Sequence, residues 1–396
     1  MPVQQAVDTI VAEARSRLVA ERVAVEQADG RVLLESAVAS LDVPPWDNSA
    51  MDGYAVQTRY AQHDAVLAIS QRIPAGETPV PLSSGSAARI FTGAPTPQGA
   101  DAVIMQENCE LLGDGRIRIL QPAQPGENIR RRGNDIPQDS LLLSAGHRLN
   151  PLDLGLLATT GISDIVVGRQ PVVALLSTGD ELASPGEPLL PGQIYNSNSV
   201  VIRALLKRLG LTVVDLGNVA DRREATVEAL MQAGEQADCI ISTGGVSAGE
   251  EDHVRAAVQE RGQLDIWKLA LKPGKPFAYG RMKEALFFGL PGNPVSAVVG
   301  FILLVRPALL AMMGCSGIEL PWQTGHAGFE VTTGDREEYL RIRLMPGEAR
   351  EVIALRNQGS GVTSSLSRAD GLAVIAPHTT VKPGDMLRFI AFNDIF

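Results

Sequence analysis

A chain of 396 residues is too long for one ordinary hydrophobic core, so roughly two to four domains are expected. The 45% hydrophobic and 20% charged composition is that of a globular protein. A formal charge of −10, from 35 basic and 45 acidic side chains, argues against general nucleic-acid binding, and an anionic ligand would need local positive sites. Cys109, Cys239 and Cys315 stand far apart with no CxxC pair or zinc spacing, which predicts a reduced, cytoplasmic chain. The five histidines are scattered too, so a His-rich metal site is not expected.

In chain order, MPVQQAVDTIVAEARSRL alternates apolar and charged residues at helical spacing, without the basic start and apolar run of a signal peptide. Residues 1–170 divide into two interleaved subdomains. One is β-rich, over about 53–135, and the other is drawn from 1–20, 39–52 and 136–170. LNPLDLGLLATTG predicts a helix with Asn150 as cap and Pro151 in its first turn. Residues 171–319 alternate strand and helix: PVVALLS, then NSNSVVIRALLKRLG with Asn-rich capping, LTVVDLG, DRREATVEALMQAGEQA with an Asp cap, DCIISTGG, a helix near EEDHVRAAVQERG, ALFFGL and a helix from Asn293. That order predicts a mostly parallel α/β sheet with crossover helices. The longest apolar stretch, VSAVVGFILLV at 295–305, is too short to span a bilayer and reads as a buried helix, so no membrane partner is expected. Residues 320–396 carry short alternating runs broken by Gly, Pro and Asp, a small β domain of about five strands. The fold class is multidomain α/β plus β.

In parallel α/β sheets ligands bind beyond the carboxyl ends of the strands, which directs attention to STGDEL, STGGVSAGEEDH and GLPGNP. The second offers Gly244, Gly245 and Ser247 in a loop able to turn several N–H groups toward one anion, or simply to make a tight strand-to-helix turn. The third places Pro291, Gly292, Asn293, Pro294 and Ser296 at a helix start, which suits an anion or ordinary helix initiation. LALKPGKPFAYG sets Lys272 and Lys275 three apart in a proline-stiffened turn. Two ammonium groups so placed repel unless an anion sits between them. VKPGDM at 381–386 has the same Lys-Pro-Gly turn without a second lysine, so that turn alone is weak evidence for a site. Asp180, Glu181, Asp221 and Asp252 crowd the same edge, as Mg²⁺ ligands beside phosphate, as a helix cap at Asp221, or as a solvated acidic run at Asp252. VPPWDNSAMDGYAV places Asp47, Asn48, Ser49 and Asp52 in a segment too polar for a core strand, and GENIRRRGND carries three arginines and Asp135.

Together, PPWDNSAMDGYAV, RIFTGAPTPQGADAVIMQE, GENIRRRGNDI, STGDEL, STGGVSAGEEDHV, KPGKPFAYG and GLPGNPVSA resemble, in order and spacing, the molybdopterin molybdenumtransferase family, the MoeA proteins and the related E domains of plant and animal fusion proteins. The resemblance covers nearly the whole chain. It implies Mg²⁺-dependent insertion of molybdate into adenylylated molybdopterin with release of AMP. It also implies an elongated cytoplasmic homodimer, dimerising through the second N-terminal part, whose active site is shared between subunits, and contact with other molybdenum cofactor biosynthesis proteins. By matching motifs, Asp52, Thr92, Asp135, Glu181, Asp221 and Asp252 are the functional acids and hydroxyl, with Asp221 and Asp252 preferred for the metal. Gly244, Gly245, Ser247, Lys268, Lys272, Lys275, Pro291, Gly292, Asn293, Pro294, Ser296 and Ser364 would bind substrate. The rival expectations are an adenylyltransferase-like nucleotidyl transfer and a non-catalytic scaffold.

Overall fold

The computed structural model describes residues 1–246, 253–347 and 350–395. The expected Ser247 and Asp252 lie outside these described residues.

The N-terminal region contains a six-stranded sheet built from β1 (Gly53–Val56), β2 (Val66–Ile73), β3 (Ser86–Ile90), β4 (Ala102–Met105), β5 (Cys109–Leu112) and β6 (Arg116–Ile119), in the order β4-β1-β3-β2-β6-β5. Gly53 is needed where β1 crosses β4, because a Cβ there would stand 2.0 Å from the Ile104 carbonyl oxygen. This sheet is an insertion: Ala37–Val38 before it pairs with Leu141–Leu143 after it, and Ala20–Ala24 pairs with Asp164–Gly168. The chain therefore crosses between the two parts more than once. Helix α1 (Val3–Arg15) buries Ala6, Ile10, Val11 and Ala14 in the core of the central unit instead, and Tyr279 donates to Glu13 at 2.7 Å.

The central sheet comprises β7 (Val172–Thr178), β8 (Thr212–Val219), β9 (Cys239–Thr243), β10 (Gln263–Trp267), β11 (Ala278–Met282) and β12 (Ala285–Leu290), in the order β8-β7-β9-β12-β11-β10. The first four in that order run parallel, while β11 is antiparallel to both its neighbours. Period-two alternation explains why both faces are apolar. Val173, Leu175, Ile241 and Phe288 face one core, and Ala174, Leu176, Ile240 and Phe287 face another beneath α4 (Arg223–Gln236) and α5 (His253–Arg261). The capping box of α2 (Pro151–Thr159), made by Asn150 and Asp153, and the Asn196 cap of α3 (Ser197–Arg208) form as their residue types predict. Helix α4 differs. Its N-cap residue is Arg222, with no side-chain cap bond, so Asp221 is not spent on capping.

The buried apolar helix extends further than the eleven-residue run indicated. It covers Pro294–Met312, 19 residues long enough and apolar enough to cross a membrane by length and composition, yet 94% of that window is buried inside the fold. This helix, α6, is a core element that passes through a π turn at Phe301–Val305.

In the C-terminal region β13 (Gln323–Ala327), β14 (Glu337–Leu344), β15 (Glu351–Ala354), β16 (Gly371–Ile375) and β17 (Met386–Ala391) close into a five-stranded barrel. VKPGDM joins two strands here, with the Lys382 N–H donating to Asp385 at 2.8 Å. All three cysteines are free, Cys239 and Cys315 being buried.

Candidate active site at the carboxyl edge of the central sheet

The parallel strands end together. Ser177 lies opposite Thr243 and Thr243 opposite Leu290, so the loops at 179–181, 220–222, 244–246 and 291–293 open on one edge. Trp267 and Ala278 pair at that same edge, which places the whole lysine turn there as well.

The acidic loops meet first. The Asp221 N–H donates to Asp180 Oδ1 at 3.0 Å, fixing the end of β8 against the loop after β7. Glu181 follows directly, its carbonyl accepting from Ile194 N–H at 2.8 Å.

The two glycine-bearing loops lie side by side. Gly244 N–H donates to the Leu290 carbonyl at 3.0 Å, and the Asn198 side chain donates to the Gly292 carbonyl at 2.7 Å. Gly244 and Gly245 have φ of 90° and 64°, and a Cβ on Gly245 would meet Val254 at 2.4 Å. Asn293 occupies the N-cap position of α6 but makes no side-chain cap bond. One free N–H at that helix start is taken instead by the barrel lobe, as Val295 N–H donates to the Ser360 carbonyl at 3.0 Å. Ser296 is buried in the first turn.

The lysine turn is braced on both sides. Lys268 N–H bonds to Phe277 and Leu269 N–H to Lys275, which closes the loop on itself. Leu271–Lys272 then adds to β14 as a short parallel strand, Leu271 facing Glu337 and Lys272 facing Glu338. Lys272 Nζ sits 3.0 Å from Glu338 Oε1, a carboxylate in a residue only 5% exposed. The sequence reading asked for an external anion between two lysines; the protein itself supplies one for Lys272. Lys275 and Lys268 are exposed, and neither ammonium group has a hydrogen-bond or ion-pair partner among the described residues.

Glu338, Arg336, Arg341 and Ser360 of the barrel lobe carry no signal in the sequence motifs. Arg336 donates to the Leu271 carbonyl at 3.3 Å, beside the lysine turn. Arg341 is fully buried and has no carboxylate partner among the described residues. It donates to Ser365 Oγ at 3.1 Å and to the carbonyls of Asn357 and Gly359 at 3.1 and 3.0 Å, with Nη1 left unpartnered. Burial without a counter-charge pushes its pKa down to about 10. Arg341 thus pins the loop that carries Ser360 onto α6. The expected Ser364 is exposed in α7 (Thr363–Arg368), and Ser360 is the residue whose backbone reaches α6. No local signal marked Arg341: in EYLRIRL strand alternation sets it on the face of exposed Arg343, opposite Leu340 and Ile342, and the loop at 357–359 buries it.

Asp52 and Thr92 come together in the N-terminal sheet region, 40 residues apart in sequence. Asp52 Oδ1 accepts from both the N–H and the hydroxyl of Thr92 at 2.8 Å. The backbone bond first, then the hydroxyl bond, hold the carboxyl below the ordinary range. With the folded pKa depressed, the stabilising contribution is present above the unfolded value and lost as pH falls through the folded one. Thr92→Val should therefore move the Asp52 pKa upward in an NMR carboxyl titration, and no movement would show that the hydroxyl bond is immaterial. The arginine-rich loop is largely committed to structure: Arg131 pairs with Asp47 at 2.6 Å and Arg132 with Asp42 at 2.5 Å. Asp135 follows, its N–H held by the Val43 carbonyl at 3.0 Å. Among the described residues, no hydrogen bond or ion pair joins Asp52, Thr92 or Asp135 to the carboxyl edge of the same chain.

An α/β sheet with cationic and acidic loops at its carboxyl edge, closed over by a β barrel, defines a class of protein that binds a compound carrying anionic groups. Three family profiles match in succession: the MoeA N-terminal region (domain I and II) over residues 1–161, a probable molybdopterin binding domain over 174–311, and the MoeA C-terminal region (domain IV) over 327–392. The chain is 44% identical over 291 residues to a molybdopterin molybdenumtransferase of Haemophilus influenzae, covering 73% of this chain and 72% of that one. It is 36% identical over 362 residues to molybdopterin molybdenumtransferase 2 of Mycobacterium tuberculosis, covering 88% and 89%. The crystal structure of a molybdopterin biosynthesis MoeA protein from Pyrococcus horikosii superposes with a TM-score of 0.83 at 32% identity, over 99% of both chains. The chain belongs to the molybdopterin molybdenumtransferase (MoeA) family.

Proposed function

We propose that this protein is a transferase of molybdenum cofactor biosynthesis that inserts molybdate into adenylylated molybdopterin and releases AMP. The observation that carries this reading is the convergence of the lysine turn, both glycine loops and the barrel loop at Ser360 on one sheet edge. Lys275, with Lys268 and Lys272, lowers the repulsion between molybdate and the anionic pterin, while Ser296 lies at the foot of the turn. The N–H groups near Gly244, Gly245, Ser247 and Pro291–Pro294 receive the pterin and its phosphate. Barrel contacts to both the lysine turn and α6 favour this reading over nucleotidyl transfer by the central unit alone.

Mg²⁺ would be held by Asp221 and Asp252; the Asp221 N–H donates to Asp180 Oδ1 at 3.0 Å, and Asp252 lies outside the described residues. The described residues contain no group of three or more His, Cys, Asp or Glu side chains able to cage a metal. Mg²⁺ needs only one or two carboxylates when phosphate oxygens complete its shell, so the acid pair suffices. When bound, the ion would offset charge on the phosphoanhydride as AMP leaves. Asp52, Thr92 and Asp135, which no bond among the described residues ties to this edge, complete the cleft of a second subunit in a homodimer. The protein works in the cytoplasm beside the enzymes that make and use its pterin.

The test is AMP release from adenylylated molybdopterin, titrating molybdate. Release should depend on molybdate, stop when Mg²⁺ is chelated, and return with excess Mg²⁺. Release that ignores molybdate would leave a nucleotide-handling enzyme, and release that persists in chelator would remove the metal role from the carboxylates.

A further inference from the structure

We propose that Glu338 is a positioning residue that competes with the oxyanion for Lys272, so that the site binds molybdate loosely enough to pass it on. The inference rests on the oxyanion role proposed for the lysine turn.

The geometry is that of a built-in anion. Glu338 lies on β14 in direct register with Lys272, and its carboxylate is 3.0 Å from Nζ. The glutamate side chain is 7% exposed and the lysine side chain 54% exposed, so the acid is fixed in the barrel wall while the ammonium reaches toward solvent. The turn does not need this ion pair to keep its shape. Glu337 N–H donates to the Ala270 carbonyl at 3.1 Å, Arg336 donates to the Leu271 carbonyl at 3.3 Å, and the crown of the turn lies on α6, where a Cβ at Gly274 would stand 3.7 Å from the Ser296 carbonyl. Backbone bonds hold the turn, and the carboxylate sets the charge that the turn offers.

An incoming dianion therefore meets Lys275, which has no ion-pair partner among the described residues, and Lys272, already paired with Glu338. It meets Lys272 with that ammonium's charge already partly offset by a fixed carboxylate, which also repels the dianion. That built-in counter-charge weakens the hold on the bound oxyanion and lowers the cost of its departure. A site with both ammonium groups unpaired would hold the ground state more tightly without any gain in the transition state.

The sign of the effect separates this role from a merely structural one. Glu338→Gln keeps the side-chain shape and removes the charge, so molybdate alone, titrated calorimetrically, should bind about three- to tenfold more tightly, the scale of a partly exposed ion pair. Molybdate dissociation should slow, and KM for molybdate and kcat for AMP release should fall together. Glu338→Asp, which keeps the charge at a longer reach, should give an intermediate affinity and serves as the second variant if the amide fails to fold. Weaker or unchanged molybdate binding in a folded Glu338→Gln protein overturns the inference. Should the wild type bind no molybdate, or Lys275→Ala bind it equally well, the oxyanion reading of the turn fails and the inference falls with it.

Discussion

Lys275→Ala is expected to lower molybdate-dependent AMP release by about 100-fold, the usual cost of deleting one preorganised charge at a developing anion. Lys275 is exposed at the crown of a turn clamped by backbone bonds to Lys268, Leu269 and β14, and it has no acidic partner among the described residues. Its backbone is therefore held in place, and among the described residues its ammonium has no counter-charge, unlike that of Lys272. Thermal stability should hardly change, since removing an unpaired surface lysine breaks no contact. The loss should fall on molybdate binding and turnover together. A variant that keeps full molybdate-dependent activity would reduce the turn to a stiff surface loop.

The second large effect concerns two chains at once. Asp52→Asn and Lys275→Ala should each be nearly inactive as homodimers, yet a doubly tagged heterodimer of the two should recover about half of the wild-type rate per dimer. If each cleft takes Lys275 from one subunit and Asp52 from the other, such a heterodimer carries one intact site and one doubly defective site. If both residues serve the same chain's cleft, each site carries one defect and nothing is recovered. Within one chain the Asp52–Thr92 pair makes no bond to the carboxyl edge among the described residues, which is why the first outcome is expected. Rates of purified heterodimers, with size determination to establish that they are dimers, decide the matter.

Much of the central unit was legible from residue order because its signals are local. PVVALLS, DCIISTGG and ALFFGL are continuous apolar runs since both faces of the sheet are covered, and Asn196 there, like Asn150 in the N-terminal region, caps a helix through bonds within three residues. Asp221 shows the limit of such reading. Its type and place suggested a cap, but the α4 cap is Arg222, and Asp221 instead meets Asp180 from 41 residues away. Ser360 shows another. No motif revealed that the bend at Gly359–Gly361 would bring the Ser360 carbonyl to Val295 N–H at the start of α6.

Family membership, the strand-end loops and the pair of lysines are written in residue order, because these depend on residue types at short, fixed spacings. Which of those charges are still available is a property of the folded chain. Glu338 reaches Lys272 across 66 residues, Arg341 is buried under a loop that begins 16 residues later, and Arg131 and Arg132 are committed to Asp47 and Asp42 across 84 and 90. Ion pairing depends on distance through space, and no local spacing fixes that distance until the barrel, the central sheet and the inserted N-terminal sheet have packed.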